Sequence, residues 1–170
     1  IYGEEKREVV PLEKIPNYLR EAVIVAEDKN FYSHFGIDLK GILRAILTNL
    51  KLREPVQGAS TITQQLIRSS FLTREKTLER KFREIILTLE LERRYSKDQI
   101  LEWYLNQIYF GQNAYGVEAA AKTYFQKSVS EVSVAEAATL AALIRAPSYL
   151  SENREELLAR KDYILDRMEN

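Results

Sequence analysis

Between Arg74 and Tyr95 the apolar residues Leu78, Phe82, Ile85, Ile86 and Leu89 recur every three or four positions. That interval repeats along one face of an α-helix, whereas a half-buried strand repeats every two. The pattern predicts a helix over 74–95 that buries this stripe. The same interval returns along most of the chain. Leu19, Ala22, Val23 and Ala26 mark a helix from Pro16 to Asp28, and Leu39, Ile42, Leu43, Ile46, Leu47 and Leu50 mark another from Asp38 to Leu50. Lys51 to Gly58, broken by Pro55, reads as a loop, and a helix restarts near Ser60 or Thr61. Ser96 with Gln99, and Ser133 with Glu136, have capping-box spacing and predict two more helix starts. Further helices are expected over Val117 to Phe125, through the Ala-rich run ending near Ala146, and from about Ser151 to Met168. Six Gly and four Pro in 170 residues leave few turns, so the fold class is mainly α, with seven or eight helices and no internal repeat.

Composition narrows the chemistry. Lys and Arg total 25, as do Asp and Glu, so no chain-wide positive field exists to hold a nucleic acid, and a polyanion must meet a local patch. Cys is absent and His occurs once, which excludes thiolate zinc sites, cysteine nucleophiles and sites built on several His. No apolar run nears the roughly 18–20 residues of a spanning helix. The start Ile1-Tyr2-Gly3 has neither an initiating Met nor signal-peptide character. The expectation is one domain over 1–170, excised from a longer chain.

Three segments could carry chemistry. In Ala26 to Gly36 an apolar helix ends in Glu27 and Asp28, followed by Phe31, Tyr32, the single His34 and Phe35. A carboxylate against aromatic walls can act as a general base or acid, because desolvation moves its pKa toward working pH. Taken alone these residues favour a solvated capping charge, and a hydrogen-bonding role for His34. On the 74–95 helix, Lys76, Arg80 and Arg83 share an arc with Glu84 at its edge, Lys81 flanking and Arg68 upstream. Such cations suit a phosphate ester or pyrophosphate, although a solvated face is the plain alternative. Ser60, Thr61, Thr63, Gln64 and Gln65 crowd the start of a helix, where capping needs one of them and a sugar or phosphate wall would use several. Asn106, Gln107, Tyr109, Gln112, Asn113 and Tyr115 form a comparable polar and aromatic set.

In order, the chain carries AEDKNFYSHFGID, GASTITQQLIRS, RKFREIILTLELE, ILEWYLNQIYFGQNAYGVEAAAKTYF and AALIRAPSYLS. These five ordered motifs, covering nearly the whole chain, resemble the peptidoglycan glycosyltransferases (glycosyltransferase family 51). These are the lipid II polymerising modules of class A penicillin-binding proteins and monofunctional transglycosylases, and the likeness is greatest to the penicillin-binding protein 1A type. The resemblance implies a mainly α fold, a lysozyme-like helical head with a smaller membrane-facing jaw at roughly 37–58.

By the same resemblance Glu27 is the general base that takes the proton of the acceptor 4-hydroxyl on lipid II. That hydroxyl attacks the lipid-pyrophosphate-linked donor chain with inversion, forming a β-1,4 linkage and releasing polyprenyl pyrophosphate. Glu84 matches the second essential carboxylate, near the donor diphosphate. Arg68, Lys76 and Arg83 match positions that hold the pyrophosphate, and Lys81, Ser60, Thr61, Gln64, Gln65, Asp28 and Asn106 fall at other ligand-contact or supporting positions. The resemblance requires no cofactor, and allows a divalent cation, Mg or Mn, near Glu84. It implies as partners lipid II, the growing glycan, the membrane surface and phosphoglycolipid inhibitors such as moenomycin, with no nucleic acid. It places the protein on the outer face of the bacterial cytoplasmic membrane, anchored by an N-terminal helix outside this sequence. The rival enzyme is a lysozyme-like or lytic-transglycosylase-like glycan-cleaving protein, which would also use Glu27. A helical partner-binding module whose polar motifs are only caps is the non-enzymatic rival.

Overall fold

The structure, a computed structural model, describes residues 6–43, 60–71 and 77–169. Its helices are α1 (Asn17–Glu27), α2 (Ile62–Phe71), α3 (Leu78–Arg94), α4 (Lys97–Gln107), α5 (Val117–Phe125), α6 (Val134–Leu143), α7 (Pro147–Leu150) and α8 (Arg154–Glu169). Residues 39–43 are also helical, and Asp38 starts that turn by accepting the Gly41 N–H at 2.8 Å. The capping boxes at Ser96 with Gln99 and Ser133 with Glu136 both form, so local chemistry sets where α4 and α6 begin.

The Ala-rich α6 lies at the centre, with Ala137, Ala138, Leu140, Ala141, Ala142 and Leu143 all buried. Small side chains let α1 and α8 pack directly on it. A second group joins α2, which packs on both α3 and α4. Ile100, Leu101, Tyr104 and Leu105 of α4 belong to the same core as Leu19 and Val23 of α1. The C-terminus of α1 therefore meets α2 on one side and α8 on the other. Two short strands missing from the sequence-based expectation, β1 (Lys6–Arg7) and β2 (Ala114–Tyr115), pair in parallel. Two residues are too few for a period-two pattern to register.

The largest correction concerns α3. Leu78, Phe82, Ile86 and Leu89, expected inside, are exposed, Leu78 by 92% and Phe82 by 64%. The buried stripe is instead Glu84, Thr88 and Glu92, spaced four apart. Glu92 accepts from Thr63 Oγ1 at 2.5 Å and from Lys97 Nζ at 2.8 Å. Gly36, at φ +81°, lets the preceding loop close on this polar stripe, since a Cβ there would lie 2.7 Å from Thr88 Cγ2. A helix with two stripes of equal period does not reveal which one faces in, and here polar partners on neighbouring elements decide it. The C-terminal stretch also differs: a short α7 precedes an α8 that starts at Arg154, not Ser151. Residues 44–59, with most of the expected jaw and the 51–58 loop, and residues 72–76 with Lys76, lie outside the described residues.

Candidate active site

Glu27 is the last residue of α1, and its carboxylate turns inward, with a side-chain exposure of 11%. Oε2 accepts from Gln65 Nε2 on α2 at 3.0 Å. Gln65 is oriented in turn by Tyr104 on α4, whose hydroxyl donates to Gln65 Oε1 at 2.9 Å. Three helices thus fix one carboxylate oxygen through an amide that both accepts and donates. The other oxygen, Oε1, is buried without a hydrogen bond among the described residues and lies 3.5 Å from Arg160 Nη2 of α8. Burial raises the Glu27 carboxyl above the usual carboxylate range, while Gln65, Arg160 and Arg145 pull it back and Asp28 adds to the rise. A buried carboxylate held upward in pKa and aimed by a fixed donor is equipped to accept a proton.

Asp28 does different work. Its carboxylate accepts from His34 Nε2 at 2.8 and 2.9 Å and from the Ile62 N–H at 3.0 Å, the first helical N–H of α2. His34 Nδ1 accepts the Gly36 N–H at 3.1 Å, so the ring proton sits on Nε2 and is donated to Asp28. His34 therefore has the hydrogen-bonding role favoured from its residue type. Thr61 and Gln64 form a reciprocal cap, Thr61 N–H to Gln64 Oε1 at 3.0 Å and Gln64 N–H to Thr61 Oγ1 at 3.2 Å. Thr61 Oγ1 also donates to the Gly36 carbonyl at 2.6 Å. These bonds weld the 28–36 loop to the start of α2, which places Gln65 one turn inside that helix and opposite Glu27. Asp28, Thr61 and Gln64 thereby brace the Glu27 carboxylate, and Ser60 precedes them half-buried.

The expected cations divide. Arg68 stands one turn beyond Gln65 on α2, exposed, and the Tyr104 hydroxyl, raised mainly by burial, lies within electrostatic reach of both Glu27 and Arg68. Lys81 Nζ contacts Glu84 Oε1 at 2.5 Å. Glu84 is fully buried, and its Oε2, the Arg80 Nε and the Thr88 Oγ1 are buried without hydrogen-bond partners among the described residues. Arg83 points away, pairing with Glu79 at 2.7 Å on an exposed surface. Asn106 is engaged elsewhere, its amide bonding both the N–H and the carbonyl of Val10 at 2.9 Å. For a divalent cation the fit is poor: Glu84 already faces an ammonium, and among the described residues no three His, Asp or Glu side chains converge.

The transglycosylase family profile matches residues 1–169. The chain belongs to the transglycosylase family. It is 49% identical over 172 residues to penicillin-binding protein 1A of Rickettsia prowazekii, covering 98% of this chain and 22% of that protein. It is 50% identical over 168 residues to penicillin-binding protein 1A of Aquifex aeolicus, covering 98% and 23% respectively. This transglycosylase chain thus spans less than a quarter of the length of those curated relatives. The crystal structure of penicillin-binding protein 1A from Haemophilus influenzae shares the fold, with a TM-score of 0.54 and 24% identity over 98% of this chain and 15% of that one.

Three side chains at this candidate site escaped the sequence reading. Arg145 and Arg160, more than a hundred residues from Glu27 in sequence, are the cations that reach its carboxylate. Arg145 lies in the quoted AALIRAPSYLS motif, which was the available signal, whereas Arg160 sits in a charged helix with nothing to single it out. Tyr104 is buried in the core, but its hydroxyl aims Gln65.

Proposed function

We propose that this domain is a peptidoglycan glycosyltransferase that polymerises lipid II into β-1,4-linked glycan. Glu27 Oε2, held by Gln65, takes the proton of the acceptor 4-hydroxyl as that oxygen attacks the anomeric carbon of the lipid-linked donor. The C1–O bond to pyrophosphate breaks on the opposite face, giving inversion and polyprenyl pyrophosphate as leaving group. Arg68, Lys81 and Arg80 are the side chains we assign to the developing diphosphate charge, with Lys76 as a further candidate. Preorganised cations stabilise such charge more in the transition state than in the ground state. The observation that carries the reading is the buried Glu27 carboxylate aimed by Gln65 on the same helix that presents Arg68 one turn on.

A glycan-cleaving enzyme has no use for cations at a diphosphate, because a neutral glycosidic bond has no such leaving group. The exposed apolar residues Leu78, Phe82 and Ile86 of α3, together with Leu39 and Leu43, support docking at a membrane surface, where a lipid-linked substrate resides. No helix among the described residues is long and apolar enough to cross a membrane. We place the domain at the outer face of the cytoplasmic membrane, with phosphoglycolipids such as moenomycin competing on the donor side.

The test is incubation with lipid II, following glycan polymer and released polyprenyl pyrophosphate. Wild-type chain should produce both, and Glu27→Gln, which keeps the shape but not the proton acceptor, should lose at least about a hundredfold in rate. Shortening of preformed glycan without polymer formation would establish the cleaving enzyme instead.

A further inference from the structure

The proton acceptor has two oxygens, and only one is explained by Gln65. The other faces Arg160, which comes from the last helix and is itself held in place. Its Nε donates to the Ala142 carbonyl at 3.2 Å, one of the final carbonyls of α6 that has no partner within its own helix. A cation at a helix C-terminus also meets the negative end of the helix dipole. Arg160 further lines a cavity of about 340 Å³ together with Arg145, Tyr149, Glu156 and Tyr163. The guanidinium therefore bridges a buried carboxylate and an open pocket, with its planar fork clamped by α6 at one end.

We propose that Arg160 is a positioning residue for the base: its guanidinium holds Glu27 Oε1 in place while Gln65 holds Oε2. This inference rests on the assignment of Glu27 as the proton acceptor. The clamp stops the carboxylate rotating about its last torsion, so that Oε2 stays aimed at the acceptor hydroxyl. The other groups facing Glu27 are Gln65 on α2, Tyr104 on α4 acting through that amide, Arg145 between α6 and α7, and Asp28 at the end of α1. Asp28 works against ionisation, and its charge is already shared with His34 and the Ile62 N–H. Arg160 is thus at ion-pair distance from the carboxylate, and Arg145 adds its charge to the same effect. Burial and Arg145 pull the Arg160 guanidinium down in pKa, and Glu27 pulls it back up, as expected for a pair that depends on each other.

A purely structural ion pair between α1 and α8 would move both unfolding and the pH at which Glu27 titrates, but would leave the rate supported by the ionised carboxylate unchanged. The experiment therefore reads the Glu27 carboxyl directly, by carbon NMR of labelled chain across a pH series, alongside the pH profile of kcat/KM for lipid II polymerisation. The variants are Arg160→Met, Arg160→Gln, which retains an amide donor for the Ala142 carbonyl, and Arg160→Lys. An opposite charge at this range typically moves a carboxylate by about 1–3 units. Loss of the guanidinium should shift the Glu27 midpoint upward, cut kcat/KM about tenfold or more on the acid side and lower the alkaline plateau as well. Arg160→Lys should restore the midpoint most of the way and the plateau only in part, because an ammonium lacks the fork. If the Met variant does not fold, the Gln variant carries the same comparison. An unmoved Glu27 midpoint, or an undiminished alkaline plateau, in a folded, charge-free variant overturns the proposal. A shifted midpoint when the wild-type chain makes no polymer would keep the Arg160–Glu27 ion pair while sinking the glycosyltransferase reading.

Discussion

Replacing Tyr104 by Phe removes one oxygen atom from a side chain that is 1% exposed, and leaves the ring and the surrounding packing unchanged. The lost bond is the 2.9 Å donation to Gln65 Oε1, so an amide oxygen inside the fold loses its partner. A hydrogen bond of this kind contributes about 1 kcal/mol net, and an acceptor stranded by its loss costs about 1–3 kcal/mol. A destabilisation of about 1.5 kcal/mol, at roughly 2–4 °C per kcal/mol for a chain of this size, lowers Tm by about 3–6 °C. The second consequence is electrostatic. Without Tyr104 the Gln65 amide is free to turn, and its oxygen would repel the Glu27 carboxylate that its nitrogen now supports. Glu27 is already raised by burial, and losing a bond to its charged form raises it further. Because the base works ionised, kcat/KM should fall on the acid side and recover at higher pH. The stability sign follows from the same fact. A carboxyl raised on folding stabilises the fold most at low pH and progressively less as pH climbs through its folded-state value, so Tyr104→Phe should carry that decline to higher pH. Thermal unfolding and pH–rate profiles of wild type, Tyr104→Phe, Glu27→Gln and the double variant measure both effects. Unchanged Tm together with an unchanged acid limb would refute the relay. So would a Tyr104→Phe effect on Tm that varies with pH equally in the wild-type and Glu27→Gln backgrounds.

Gly36→Ala should cost about 2–4 kcal/mol, combining a left-handed backbone with a Cβ placed 2.7 Å from Thr88 Cγ2; a loss under about 1 kcal/mol in chemical denaturation would mean that α3 is not seated as described. Phe82→Ser with Ile86→Ser should change stability by less than about 1 kcal/mol yet weaken binding to anionic lipid vesicles, measured by co-sedimentation. If that stripe were core, each truncation would instead cost several kcal/mol, about 2–5 being typical of buried apolar side chains. Thr63→Val should cost about 1–3 kcal/mol by leaving Glu92 Oε1 with Lys97 alone, and no change in unfolding free energy would discount the buried Thr63–Glu92–Lys97 network.

Glu27 was legible as a candidate base only through the family motif. Taken alone, its place at the end of an apolar helix in front of aromatic residues favours a solvated capping charge, and α1 does end there. The helix starts at Ser96 and Ser133 were readable for a different reason, since a capping box is complete within four residues and needs no partner elsewhere. The orientation of α3 was not readable. Its apolar stripe repeats at helical spacing just as a core stripe does, and the evidence for the opposite choice lies in Gly36, Thr63 and Lys97, on other elements. The same holds for Asp28: the motif puts it at a ligand-contact or supporting position without choosing between them, and only the fold brings it His34 and the head of α2.

By itself the sequence determined the α-helical class, most helix boundaries, the family motifs and the identity of the candidate base, because periodicity, caps and motif spacing are properties of neighbours along the chain. The tertiary structure alone decided which face of α3 is buried, which of the adjacent carboxylates is aimed by an amide and which is tied up as a brace, and that Arg160 reaches Glu27. Those outcomes depend on groups far apart in sequence meeting where water is excluded. There, an unmatched polar atom is costly enough to choose the arrangement.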